Sequence, residues 1–205
     1  MAIKNIDKRI IIGAVAAVVI LVAGCILAKT YYFEPREDEA STALAKGQQY
    51  FAQDEYDLAL NGDGKGYAGF IAIASDYSST DAGNLARLYA GLSLVHKGKY
   101  QEAIEYLEDF STADDQMISP AAIAALGDCY AETGNIDKAI SMFKKAADKA
   151  ENNSLSPTFL IKAGELLESQ GNKEDALKLY NTIKEKYVES MQAQDIDKYI
   201  ERASK

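Results

Sequence analysis

One spacing recurs three times along this chain. Gly91, Gly98 and Ala103 follow G-x6-G-x4-A, as do Gly127, Gly134 and Ala139, and again Gly164, Gly171 and Ala176. Successive copies begin 36 and 37 residues apart (91 to 127, 127 to 164). A period of that length marks a helical repeat whose units bury their apolar faces only by stacking on one another. Such arrays present an extended surface to a partner, so binding is expected ahead of chemistry.

The local pattern agrees. Apolar residues recur at three and four, as in Leu85, Leu88, Tyr89, Leu92 and Val95, the period of a helix with one buried face. Gly98, Gly134 and Gly171 stand where a helix should stop, because glycine takes the left-handed conformation that closes a last turn. Ser119-Pro120 and Ser156-Pro157 predict helix starts, with serine as N-cap and proline as first helical residue. An earlier, degraded copy contains Gly47, Tyr50 and Ala59, with Asp54 in place of the stop glycine. Its distance to the next copy is 44 residues (47 to 91). The surplus falls at 61–66, Asn-Gly-Asp-Gly-Lys-Gly, which must interrupt the second helix of that copy. Residues 192–203, with Ile196, Tyr199 and Ile200 on one face, read as the capping helix that a solenoid end requires.

Ahead of the repeats, Ile10 to Ala28 is 19 residues without a charge, close to the length that crosses a bilayer as a helix. Lys4, Lys8 and Arg9 precede it; Lys29, Tyr31, Tyr32 and Phe33 follow. Basic residues favour the cytoplasmic side and aromatic rings the interface, so the C-terminal body is expected outside the cytoplasm. Three readings compete. A retained single-pass anchor is the expectation. A cleaved signal peptide fits poorly, since Ala28-Lys29-Thr30 is no small-x-small site. Val22-Ala23-Gly24-Cys25 resembles a lipobox, which would make Cys25 an acylated N-terminus, although Ile26-Leu27-Ala28 prolong the apolar run.

Charge and composition exclude several functions. The net charge is -9, and residues 1–28 contribute +2, leaving -11 on the body. An acidic body of that kind repels phosphate backbones, so no nucleic-acid partner is expected. His96 is the single histidine, and Cys25 and Cys129 are the two cysteines, too few for a catalytic triad or a metal site. The glycine-rich 61–66 stretch lacks the Lys-Ser/Thr of a phosphate loop and the spaced glutamate of a calcium loop. It reads as a plain insertion, with partner contact as its nearest function. No enzyme, no cofactor and no metal are expected.

The repeats resemble the tetratricopeptide (TPR) pattern, L-G-x2-Y on a first helix and A-x3-F on a second. The 127 copy fits best, with Leu126-Gly127-x2-Tyr130 and Ala139-x3-Phe143; the others read Ala90-Gly91-x2-Leu94 with Ala103-x3-Leu107, and Ala163-Gly164-x2-Leu167 with Ala176-x3-Tyr180. The chain departs from the family in lacking tryptophan and in placing proline at the start of first helices. The resemblance implies an all-α fold, a TPR-like α-solenoid at 38–205 of about four helix hairpins with a C-terminal capping helix; the apolar run and its flanks place ahead of it a short cytoplasmic start at 1–9, a transmembrane helix at 10–28 and a juxtamembrane linker at 29–37.

In that family ligands lie in a concave groove lined by first helices. Carried onto this sequence, the groove holds Gln48 and Phe51, then Leu88, Leu92 and Val95, then Ala124, Asp128 and Ala131, then Ile161, Glu165 and Glu168. It is apolar at one end and acidic at the other, which suits an apolar or basic segment. The clamp by which some relatives grip a peptide carboxylate needs lysine and asparagine where Leu88, Leu92, Ala124, Asp128, Ile161 and Glu165 stand, so chaperone-tail recognition is not expected. The organisation as a whole resembles the YfgM group of envelope proteins. That implies a bacterial inner-membrane protein with a cytoplasmic N-terminus and a periplasmic array that binds translocon components, periplasmic chaperones or unfolded clients. An outer-membrane assembly scaffold of the BamD kind, acylated at Cys25, is the alternative. Self-association through the anchor or the solenoid end is left open.

Overall fold

The computed structural model describes residues 8–205, with side chains from residue 12. The expected cytoplasmic start at 1–9 therefore lies outside the described residues except for the backbone of Lys8 and Arg9. Every regular element among the described residues is helical.

The first element, α1, spans Lys8–Ala28. A π-helical turn, Lys29–Phe33, joins it to α2, Glu34–Ala52, with helical dihedrals at both junctions. The widened turn comes just before Pro35, whose nitrogen has no hydrogen to give the ladder. The segment 29–37, read as a linker, is thus helical throughout. Side chains from Ile12 to Phe33 are exposed, and an apolar helix of this length with no protein covering it is a candidate membrane span.

Helices then alternate. The second helix of the first hairpin is split into α3, Tyr56–Asn61, and α4, Phe70–Asp76, as the insertion at 61–66 required. The next hairpins are α5 (Asp81–His96) with α6 (Tyr100–Glu108), α7 (Ile118–Glu132) with α8 (Ile136–Ala150), and α9 (Ser156–Ser169) with α10 (Lys173–Lys186). The last helix, α11 (Met191–Ala203), lays the buried Ile196 and half-buried Tyr199 and Ile200 against the end of the stack.

The repeat glycines act in two ways. Gly98, Gly134 and Gly171 have φ of 68°, 79° and 78°, and Asp54 takes the same left-handed turn at φ 59°. In each case the following N–H donates to a carbonyl in the last turn, as Asn135 does to Tyr130 at 2.8 Å and Glu55 to Tyr50 at 3.0 Å. Gly91, Gly127 and Gly164 instead face the bulky residue of the partner helix. A Cβ there would come within 2.6 Å of Leu107, 3.0 Å of Phe143 and 2.6 Å of Tyr180 Cζ. The opposing Ala103, Ala139 and Ala176 are fully buried. Small residues on one helix make room for large ones on the other. In the degraded copy Phe70 and Tyr67, from beyond the insertion, fill the space beside Gly47.

One expectation is corrected. Ser119 and Ser156 are not N-caps. Ser119 lies inside the first turn of α7, and Ser156 is the first residue of α9. Acceptors a few residues earlier do the capping: Asp115 takes the Met117 and Ile118 N–H groups at 2.9 and 2.6 Å, and Asn152 those of Ser154 and Leu155 at 3.0 and 2.9 Å. The serine hydroxyls are fully buried and turn backwards, Ser119 towards Asp115 and Ser156 to the carbonyl of Ala147 at 2.8 Å. Ser156 thereby fastens α9 to the end of α8, and Ser119 fastens α7 to the loop before it.

Candidate interaction surface

The first helices α2, α5 and α7 leave an apolar cleft between them. It has a volume of about 530 Å³ and is lined by Gln48 and Phe51 of α2, Leu85, Leu88, Tyr89 and Leu92 of α5, and Met117, Ile118, Ala121 and Ala122 at the start of α7. Phe51 is held from three sides, edge-on to Tyr56, Tyr89 and His96 at centroid distances of 5.5, 5.3 and 5.7 Å. His96 in turn stacks on Tyr56 at 4.6 Å. A rigid aromatic wall costs little side-chain entropy when a ligand settles against it.

Four residues expected in the groove, Gln48, Phe51, Leu88 and Leu92, come together in this cleft. Val95 packs half-buried against the core beside it, and Ala131 and Ile161 lie half-buried on their own helices. Ala124 is buried. The acidic positions are engaged within the protein. Lys162 Nζ meets both Asp128 oxygens at 2.6 and 2.8 Å. Arg202 of α11 forms two bonds to Glu168, at 2.9 and 2.7 Å, and lies 3.7 Å from Glu165. The Tyr180 hydroxyl also donates to Glu168 at 2.5 Å. The Arg202 bonds, against the opposing effect of burial, hold the Glu168 carboxyl below its ordinary range.

Leu85, Tyr89, Met117, Ile118, Ala121 and Ala122 line the cleft without having been expected there. Leu85 and Tyr89 belong to the same periodic stripe as Leu88 and Leu92, so their signal was present. Met117 and Ile118 follow an aperiodic loop and carried none. Their position is set by Asp115, whose side chain ties that loop to α7.

Away from the cleft, the insertion folds around one carboxylate. Asp63 pairs with Lys46 at 2.6 Å, accepts the Tyr50 hydroxyl at 2.8 Å, and takes the Lys65 and Tyr67 N–H groups at 2.8 and 2.9 Å. These bonds, Lys46 foremost, drive its pKa well down. Cys129 is fully buried, and burial followed by the nearby Asp128 raises its thiol to about 11, the state of an inert thiol. Among the described residues no group of three or more His, Cys, Asp or Glu side chains is placed to hold a metal.

Tetratricopeptide-repeat family profiles match residues 94–156 and 159–190. Over those residues the chain carries tetratricopeptide repeats. The fold agrees: nearly identical TPR-like repeats of a protein described as a kinesin light chain from Podosopora anserina superpose with a TM-score of 0.60 at 12% identity, covering 82% of this chain and 86% of that one. A single-substitution variant of the same protein gives 0.60 and 12%, over 82% and 85%. At that identity the likeness speaks for the fold alone. No curated protein matches the sequence. TPR arrays are protein-interaction scaffolds, typically without catalysis, and the apolar cleft lies on the first-helix face that such arrays expose.

Proposed function

We propose that this chain is a single-pass adaptor of a bacterial envelope, anchored by residues 10–28 in the inner membrane, with its TPR array in the periplasm. There it holds an apolar segment of a partner or an unfolded client beside the bilayer, in the service of protein translocation or envelope chaperoning. The observation that carries this reading is the cleft between α2, α5 and α7. It is the open apolar part of the first-helix face, while the acidic positions are paired with Lys162 and Arg202. The helix that continues unbroken from α1 into α2 supports a retained anchor, because Cys25 and the residues after it continue one helix. The acidic body favours a ligand whose apolar side chains are flanked by lysine or arginine.

Binding of a labelled peptide of that composition to the membrane-inserted protein tests the reading. Leu92→Glu and Phe51→Glu should each weaken binding tenfold or more, while circular dichroism stays helical. If both variants bind as the parent does, the cleft is the wrong surface. Intact mass separates the acylated alternative, since a lipoprotein would lack residues 1–24 and carry acyl mass on Cys25.

A further inference from the structure

Paired helices alternate in direction, and α2 runs outward from the anchor. Each first helix therefore leads away from the anchor and each second helix returns towards it. The connections from a second helix to the next first helix all fall at the anchor's end of the array. Contacts link them in series. Glu37 of α2 accepts the Asp81 and Ala82 N–H groups at 2.7 and 2.9 Å. Asn84, at the start of α5, exchanges two bonds of 2.8 Å with the Ser111 backbone. Asn152 donates to the Gln116 carbonyl at 3.0 Å, and Lys186 meets Glu151 at 3.2 Å.

Exposed apolar side chains gather on this edge. Beyond Phe33, the large exposed ones among the described residues are Leu58, which lies by the Asp54 turn at the opposite edge, and Met117, Ile118, Val188 and Met191. The last four flank two of these connections, with exposures of 58%, 52%, 65% and 82%. The opposite edge, where Asp54, Gly98, Gly134 and Gly171 turn the chain, is made of short polar turns. Apolar side chains left in water together mark a contact surface.

We propose that the anchor-side edge rests on the bilayer, with Met117, Ile118, Val188 and Met191 entering the lipid interface, so that the array lies along the membrane. This rests on residues 10–28 being a membrane anchor. Continuity with that anchor identifies the occupant: Tyr31, Tyr32 and Phe33 at the helix exit suit the interface, and the edge begins one short contact away, at Arg36 and Asp76. Tethering supplies a high effective concentration, so a few inserted side chains suffice. The contact is apolar rather than ionic. Lys149 and Lys186 are paired with Asp114 and Glu151 at 3.7 and 3.2 Å, and Asp115 and Glu189 add negative charge. Zwitterionic lipid is therefore preferred, and anionic lipid repels. Met117 and Ile118 also form the lip of the cleft, whose lower end then opens at the lipid surface.

The test uses the full chain with Cys25→Ala in phosphatidylcholine nanodiscs, one copy per disc. An environment-sensitive dye is attached at Ile118→Cys, Met191→Cys or, on the opposite edge, Asn135→Cys. Nitroxide lipids should quench the first two several-fold more than the third. Exchange of half the lipid for phosphatidylglycerol should reduce that quenching, and high salt should restore it. Quenching at 118 and 191 no greater than at 135, or at one of them alone, overturns the proposal. Dye shifts that appear only with two copies per disc assign the edge to self-association and overturn it too. Reactivity of Cys25 in the unsubstituted chain towards a membrane-impermeant maleimide reports separately on the anchor. If Cys25 reacts in discs, the anchor reading fails and this proposal with it; protection of Cys25 with unquenched dyes refutes the edge contact alone.

Discussion

Glu37 caps the helix that begins at Asp81, accepting its N–H at 2.7 Å across 44 residues of chain. The second carboxylate oxygen takes the Ala82 N–H at 2.9 Å, while Thr80 covers the Gly83 N–H at 2.9 Å. The helix that continues from the apolar α1 thereby fastens itself to the start of the next first helix, so the array is docked on α2 rather than hung from it. Glu37→Ala should lose about 1 kcal/mol, the usual worth of a cap with a favourable helix dipole. Urea denaturation in detergent followed by circular dichroism measures it; a midpoint unchanged from the parent would show that Thr80 caps α5 unaided.

The two interior glycines Gly164 and Gly127 should respond differently to alanine. At Gly164 the new methyl meets the ring of Tyr180, which is fully buried and cannot retreat. Overpacking there should cost about 1–3 kcal/mol. At Gly127 the nearest atom, on Phe143, is 3.0 Å away. A shift of a few tenths of an ångström relieves it, and alanine gains about 1 kcal/mol of helix propensity, so the variant should stay near parental stability. Equal thermal midpoints for the two variants would contradict this packing account.

Asp115 makes the start of α7 sensitive to acid. Its burial opposes ionisation, but the Ser119 hydroxyl and the N–H groups of Met117, Ser119 and Ile118 outweigh that and bring the carboxyl to about 2. The unfolded value is near 3.9. A carboxyl depressed on folding contributes stability above the unfolded value, and the contribution fades as pH falls from about 4 towards about 2. Asp115→Asn should flatten the pH dependence of the denaturation midpoint in that window. It should also loosen Met117 and Ile118, which hydrogen exchange at their amides would register. An unaltered acid limb would exclude Asp115 as a source of it.

Arg202 keeps the far end of the first-helix face from acting as an acidic groove. Arg202→Ala leaves Glu165 and Glu168 without their cation, and a peptide with basic flanks should then bind several-fold tighter at low salt and no tighter at high salt. Fluorescence anisotropy at two ionic strengths decides it. The same variant should lose about 1 kcal/mol of stability or less, since the guanidinium is half exposed. Unchanged affinity at low salt would place the ligand away from α9.

The repeat was legible because each of its positions meets a local steric demand. A left-handed turn admits glycine and, at Asp54, an aspartate whose hydroxyl-bonded side chain steadies it, with Tyr56 donating at 2.5 Å. A close helix crossing admits glycine or alanine whatever the rest of the chain does. The site was legible only in part. Phe51, Leu88 and Leu92 followed from helical phase. Met117 and Ile118 did not, because the loop before them has no period and its shape comes from one carboxylate binding successive N–H groups. Ser119 and Ser156 misled for a related reason: a serine before proline has the composition of a cap, but an acceptor four residues earlier takes the N–H groups ahead of the serine, and the helix is under way when the serine is reached.

Read along the chain alone, the residues establish the helical hairpins, their stops, the split in the first of them and the apolar helix ahead of them, all consequences of neighbours within a turn or two. Which charges meet, and so where the exposed face is apolar, was settled by folding. Lys162 lies 34 residues from Asp128, and Arg202 lies 34 from Glu168. Stacking brings each pair within 3 Å, and no periodicity encodes it, because an ion pair depends on distance through space while a repeat records only distance along the backbone.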